Sequence, residues 1–157
     1  MTIPVRPETD RRIDALLTRF PMKGSALLPA LYLVQEEKGH VSEESMTYVA
    51  SKIGVSPAFV AGVVSFYTMF HRHPVGRHHV QVCRTLPCAL AGSDDLMAHL
   101  KTRLGIPDGG TTADGKFSLA SVECLGACDR APFLQINERE FGPLDGTKMD
   151  EILKGLE

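Results

Sequence analysis

The 157-residue chain holds four cysteines, and they fall in two tight pairs. VQVCRTLPCAL, residues 80–90, carries Cys83 and Cys88. SVECLGACDRAP, residues 121–132, carries Cys124 and Cys128. The pattern is C-x4-C and C-x3-C, with 35 residues between the pairs. Four thiols so placed can form disulfides, bind a zinc ion or hold an iron–sulfur cluster. Disulfides are disfavoured in a reducing compartment. Structural zinc commonly uses shorter loops such as C-x2-C, but stays an alternative. A cluster is larger because it includes inorganic sulfide, and wider loops let peptide N–H groups turn toward sulfur. Two ligands from each loop suit a rhombic [2Fe–2S] centre. Spacing alone leaves [4Fe–4S] open. Four inert, buried thiols would not require this pairing. A thioredoxin-like dithiol would need C-x-x-C, which the sequence lacks.

Two ferric ions, two sulfides and four thiolates sum to a charge of about −2, and one added electron makes it about −3. Such an anion calls for hydrogen-bond donors and positive charge nearby. Gly126 permits close backbone approach. A helix expected to be capped by Ser93 would begin just after Cys88 and aim its positive end at the site. Arg84 and Arg130 flank ligands and would offset charge, although each alone reads equally as an ordinary surface residue.

The elements that must position these residues change character part-way along the chain. Pro7, then Ile13, Leu16, Leu17 and Phe20, predict an amphipathic helix ended by Pro21. A second is expected over 25–38, with Leu27, Leu31 and Val34 inward and Gly39 as its stop. A third follows Ser42 with Met46, Val49, Ala50 and Ile53, stopping at Gly54. Ser56 and Pro57 open a fourth, with Val60, Val63, Val64 and Tyr67. HHVQVC (78–83) then alternates as a strand, with Val80 and Val82 on one face. A helix follows with Leu96, Met97, Leu100 and Leu104, then a loop, GIPDGGTTADG. KFSLASVEC and PFLQIN read as strands, with a turn at 137–139 and a short partner near Phe141. Thr147 is expected to cap a final helix with Met149, Ile152, Leu153 and Leu156, and Asp150 and Glu151 to lie in its first turn. The fold class expected is α/β. A helical domain over 1–74, used for subunit contact, precedes a thioredoxin-like metal-binding domain over 75–157. Should the strands ending at Cys83 and Cys124 be parallel neighbours, the two thiol loops meet.

At 43% hydrophobic and 23% charged residues, with net charge −2, the composition is globular. It gives no electrostatic reason to expect nucleic acid or an anionic membrane. No apolar run approaches the ~20 residues of a membrane span, and the first residues lack a signal core, so a soluble, cytoplasmic protein is expected.

FYTMFHRHPVGRHHVQVC, PCAL, VECLGAC and AP together resemble the small [2Fe–2S] subunit family of the proton-pumping NADH:quinone oxidoreductase, respiratory complex I. The resemblance runs from about residue 15 to the C-terminus, with no departure at the C-x4-C…C-x3-C set. Diaphorase modules of NAD-dependent hydrogenases and formate dehydrogenases carry similar subunits. The resemblance implies a helical segment followed by a thioredoxin-like ferredoxin domain, with Cys83, Cys88, Cys124 and Cys128 ligating one [2Fe–2S] cluster. It also implies a flavoprotein partner that binds FMN, NADH and a [4Fe–4S] cluster. Further iron–sulfur subunits and a place in the peripheral arm on the cytoplasmic side, without membrane insertion, follow as well. In that family the cluster lies near the flavin, off the main electron path, and is discussed as a transient store for one electron.

The residues agree independently on one point. NADH delivers two electrons as hydride and an iron–sulfur centre takes one, so a flavin must intervene. The chain has no G-x-G-x-x-G between a strand and a helix; GGTTADG (109–115) lacks that spacing. The flavin and nicotinamide sites, and any catalytic residue, are therefore expected on another chain.

Two other signals compete. VASKIGVSPAFVAGVV, residues 49–64, resembles a helix-turn-helix, which makes a DNA-binding regulator with an iron–sulfur sensor the second reading. Its second helix offers Ala58, Phe59, Ala61, Gly62 and Ser65, none of which reads base edges well. It reads better as packed helices with an apolar surface for another subunit. HRHPVGRHH gathers His71, His73, His78 and His79, but alternation along a strand sends neighbours to opposite faces. A zinc-stapled interaction module without redox function is the third reading.

Overall fold

The computed structural model describes residues 4–156. The chain divides into two compact units, up to Pro74 and from Val75 onward.

The first unit is helical. Helix α1 (Pro7–Arg19) has proline in its first turn with Glu8 and Asp10, and Arg19 in its last, as the helix dipole favours. Only Ile13 of its predicted stripe is fully buried. Leu16, Leu17 and Phe20 are half-buried, and Leu16 lines a groove with Arg12, Tyr32 and Leu33. A single 3-10 turn (Lys23–Ala26) leads into α2 (Leu27–Lys38), which buries Leu27, Ala30, Leu31 and Val34. Gly39 closes α2 at φ 76°, a left-handed conformation suited to glycine. Helix α3 (Glu43–Ile53) starts where the Ser42 hydroxyl accepts the Ser45 N–H, and ends at Gly54. Helix α4 (Pro57–Phe66) repeats the device, with Ser56 accepting from Phe59 N–H.

The core of this unit joins Ile13, Leu31, Val34, Val41, Val49, Val60 and Phe70. Polar ties supplement it. Lys52 Nζ lies 2.5 Å from Asp10 and 2.7 Å from Asp14, joining α3 to α1, and Tyr48 donates its hydroxyl hydrogen to Asp10. Gln35 clamps the segment after α4: its amide donates to Met69 C=O and accepts from His71 N–H. On α4, Phe59 and Phe66 are 55% and 77% exposed, an apolar surface on an otherwise well-packed helix pair. Among the described residues no single helix is long and apolar enough to cross a membrane.

The second unit is a four-stranded sheet with helices. Its strands are β1 (His78–Cys83), β2 (Phe117–Val122), β3 (Leu134–Ile136) and β4 (Arg139–Phe141), in spatial order β2-β1-β3-β4. β1 and β2 run parallel in a register pairing Cys83 with Val122; β3 is antiparallel to both β1 and β4. The return from β1 to β2 passes through α5 (Leu86–Leu90) and α6 (Ser93–Leu104), as a parallel pair requires. Helix α7 (Gly146–Lys154) follows β4. Val80, Val82, Leu100, Leu119, Leu134, Met149 and Leu153 form the core. The outer edge of β2 is covered by the preceding loop. There Gly109 N–H donates to Leu119 C=O, Leu119 N–H donates to Gly110 C=O, and the Asp108 carboxylate accepts from Ser121. That blunts an edge otherwise open to strand addition.

Three local expectations are corrected. Ser93 does not cap α6. Gly92, at φ 102°, occupies that position, and the Ser93 side chain is turned inward and buried. Cys88 is not in a loop before α6 but inside a short helix of its own, α5 (Leu86–Leu90). Thr147 does not cap α7; the Asp145 carboxylate accepts the Lys148 N–H instead. That places Asp150 beyond the first turn, where it pairs with His99 and Arg103 of α6.

Candidate metal centre

Two loops leave the same end of the β1–β2 pair, and each carries two thiols. Cys83 is the last residue of β1, 3% exposed, and its N–H donates to Phe133 C=O at 3.1 Å. Arg84 N–H continues the contact to Val122 C=O at 3.0 Å. Pro87 then lies in the first turn of α5, where its missing N–H costs little. The five residues of this helix turn Cys88 inward, 2% exposed, and leave Leu86 and Leu90 outward.

In the second loop Cys124 and Cys128 are exposed. Gly126, at φ 80°, lets the chain turn back so that its N–H points at Cys124 Sγ, 3.3 Å away. Cys128 opens a 3-10 turn (Cys128–Arg130). Cys83, Cys88, Ala127 and Phe133 pack as one small apolar cluster with Leu125 and Ala131 against it. The inner side of the site is therefore dry and the outer side wet.

Backbone donors converge on the sulfurs. Burial opposes ionisation of Cys83, but the N–H groups of Leu125 and Thr85, with a hydrogen bond from Cys88, outweigh it and hold this thiol below its ordinary range. The two loops also pack together, with Leu125 and Ala127 of the second against Cys83 and Cys88 of the first. Burial pushes Cys88 up, its hydrogen bond with Cys83 adds to that, and Phe133 N–H acts the other way. Cys128 is raised mainly by its hydrogen bond with Cys124, and Cys83 contributes across the loops. The side-chain contacts thus run within each pair, and the weaker Coulombic influence runs between pairs. Thr85 Oγ1 is buried with no conventional partner and favours the Cys83 thiolate only weakly. Among the described residues no three His, Cys, Asp or Glu side chains close around a point sized for one ion.

The site offers four soft sulfur donors in two pairs, with peptide N–H groups turned toward sulfur. Soft thiolates of this kind select iron–sulfur clusters or zinc.

Both flanking arginines are already paired. Arg84 donates through Nε and Nη2 to Glu123 Oε1, at 2.9 and 2.5 Å. Arg130 donates to Glu140 at 2.8 Å, and its guanidinium stands 4.8 Å over the Phe133 ring. The histidines divide between the two units, His71 and His73 in the first and His78 and His79 in the second. His73 lines a groove of the first unit with Glu43 and Arg72, whereas His78 stacks near Phe117 in the second. Burial, then Arg77 and Lys116, hold His78 below its usual range.

Comparison with known proteins identifies the pattern. The family model for a thioredoxin-like [2Fe–2S] ferredoxin matches residues 13–157. The chain belongs to that family. Among relatives of this ferredoxin, an NADH-quinone oxidoreductase subunit of Rhizobium meliloti is 44% identical over 144 residues, covering 92% of this chain and 86% of that protein. NADH-quinone oxidoreductase subunit 2 of Thermus thermophilus is 37% identical, covering 92% and 81%. The mitochondrial NADH dehydrogenase [ubiquinone] flavoprotein 2 of Dictyostelium discoideum is 44% identical, covering 90% of this chain and 59% of that protein. Among solved structures, an NAD+-reducing [NiFe]-hydrogenase in the air-oxidised state superposes with a TM-score of 0.72 at 25% identity. The match takes in 83% of this ferredoxin but only 22% of the hydrogenase chain.

Phe133, Thr85 and Leu125 are site residues that the sequence reading did not single out, although Thr85 and Leu125 lie within the two thiol loops. Phe133 has a sequence signal, an aromatic residue just after a ligand loop that ends in proline. Leu125 acts through its backbone, which leaves no side-chain trace.

Proposed function

We propose that the chain is the one-electron carrier subunit of an NADH:quinone oxidoreductase. In this reading Cys83, Cys88, Cys124 and Cys128 would together hold one [2Fe–2S] cluster. The packing of Leu125 and Ala127 with Cys83 and Cys88 carries the proposal, because it brings the second thiol loop against the first. The cluster supplies one-electron redox chemistry. The chain's own residues do the rest. Cys83 and Cys88 hold the group against Phe133 and Ala127, where water is excluded. Gly126, Leu125, Thr85 and Phe133 offer N–H groups to the sulfurs, which stabilises thiolate charge.

The electrons come from a separate flavoprotein subunit that binds FMN and NADH and carries a [4Fe–4S] cluster, with further iron–sulfur subunits beyond it. The names of the relatives support such an assembly, and the lack of a dinucleotide fingerprint in the sequence agrees with it. The helical unit over 1–74 serves subunit contact, with Phe59 and Phe66 of α4 as its exposed apolar residues. The assembly's peripheral arm faces the cytoplasm. The likeness to an NAD+-reducing hydrogenase supports a second reading, the equivalent subunit of a hydrogenase.

The test is reduction by NADH. The purified chain alone is expected to show no NADH:ferricyanide turnover, and its visible absorption is expected to bleach with NADH only when the FMN-bearing subunit is added. Turnover by the chain alone would contradict the proposal. Quinone or hydrogen dependence of the co-purified assembly separates the two readings.

A further inference from the structure

Arg84 directly follows Cys83, and Glu123 directly precedes Cys124. The β1–β2 ladder ends at the pair Cys83 and Val122, so Arg84 and Glu123 are the next residues across the two strands. In a parallel pair such opposed side chains share a face. Their side chains meet through two hydrogen bonds, and Arg84 N–H also reaches Val122 C=O. The bridge therefore joins the two thiol loops at their roots.

Stability does not explain it. The two side chains are 62% and 73% exposed, and ion pairs so exposed contribute little to folding. Its place points elsewhere. A full positive charge sits one residue from the first thiol pair, and a full negative charge one residue from the second. Asp108 adds a weaker negative influence on Arg84. Near an anion that gains charge on reduction, an unbalanced arginine would favour the reduced form and an unbalanced glutamate the oxidised form. Paired, they nearly cancel.

We propose that Arg84 and Glu123 form a charge-balanced clasp that keeps either charge from shifting the one-electron potential of the site, with Glu123 as the group that neutralises Arg84. This rests on the reading of the four thiols as cluster ligands. Both are positioning residues; neither touches the reacting atoms. The step concerned is addition of one electron, from a reductant such as dithionite or the partner's flavin, to a pair of ferric ions, with no bond made or broken.

The test is an EPR-monitored redox titration of the full-length, iron-loaded chain and its variants. Glu123→Gln is expected to raise the potential and Arg84→Gln to lower it, each changing the reduced-to-oxidised ratio on the order of threefold, or about 30 mV at 59 mV per tenfold for one electron. The double variant is expected to return close to the native value, and both single shifts to shrink as salt is raised. Arg84→Lys, which keeps the charge, should stay close to native. A merely structural clasp would move both single variants in the same direction, or neither, and would not restore the double; either result overturns the proposal. No [2Fe–2S] signal in the unaltered chain would instead overturn the proposed function.

Discussion

Phe133→Ala removes the one aromatic ring that closes the dry side of the thiol site. The ring is 1% exposed and packs against Cys83 and Cys88. Fully buried phenylalanine cut back to alanine costs about 3–5 kcal/mol, since the transfer energy is lost and a cavity remains. Loss of the Arg130 contact over the ring face adds about 0.5–1 kcal/mol. Against a total stability of about 5–15 kcal/mol, that is a large fraction. The backbone hydrogen bonds of residue 133 persist, because they belong to the peptide and not to the ring. Urea denaturation of the full chain is expected to shift its midpoint down by about 2 M if the slope is ~2 kcal/mol per M. The visible absorption of the iron-loaded variant should also bleach faster in air, because water gains the inner pair of sulfurs. Leu90→Ala, at a position 81% exposed, should change stability by less than about 0.5 kcal/mol. A Phe133→Ala loss below about 1 kcal/mol, with unchanged bleaching, would refute the claim that this ring seals the site.

Gly76→Ala would place a Cβ 2.6 Å from Phe117 C and 2.8 Å from Ser118 N, so backbone must move; a loss of about 1–3 kcal/mol by urea titration is expected, while Gly24→Ala, with open space around it, should be neutral. Hydrogen bonds from Lys52 and Tyr48 hold Asp10 below the ordinary carboxylate range. A depressed folded-state value means that the stabilisation is present above the unfolded value of about 3.9 and is lost as pH falls through the folded one. Asp10→Asn should therefore flatten the acid limb of stability against pH, and identical limbs in the two proteins would contradict the assignment.

Much of the helical unit is legible because its signals are local. Ser42 and Ser56 sit where their hydroxyls accept the third N–H of the next helix, and Gly39 and Gly54 stop helices in left-handed conformations. Pro7 and Pro57 mark first turns for the same reason. The capping errors at α6 and α7 arise where tertiary packing overrides the local choice. Ser93 is drawn into the interior, and Asp145 rather than Thr147 reaches the helix N–H groups. α5 is hidden in the sequence because five residues containing a proline read as a turn. At the site, cysteine spacing points to two ligand pairs, but the parallel register of β1 and β2 and the reach of Leu125 N–H to Cys83 are non-local. The neutralisation of Arg84 by Glu123 depends on that same register, across 39 residues of sequence.

Spectroscopy with metal analysis on the purified, anaerobically handled chain tests the central claim most directly. The purified chain is expected to be red-brown, with iron and acid-labile sulfide in equal amounts, and to become EPR-active when one electron is added by dithionite. A colourless chain with stoichiometric zinc and no EPR signal after reduction would contradict it.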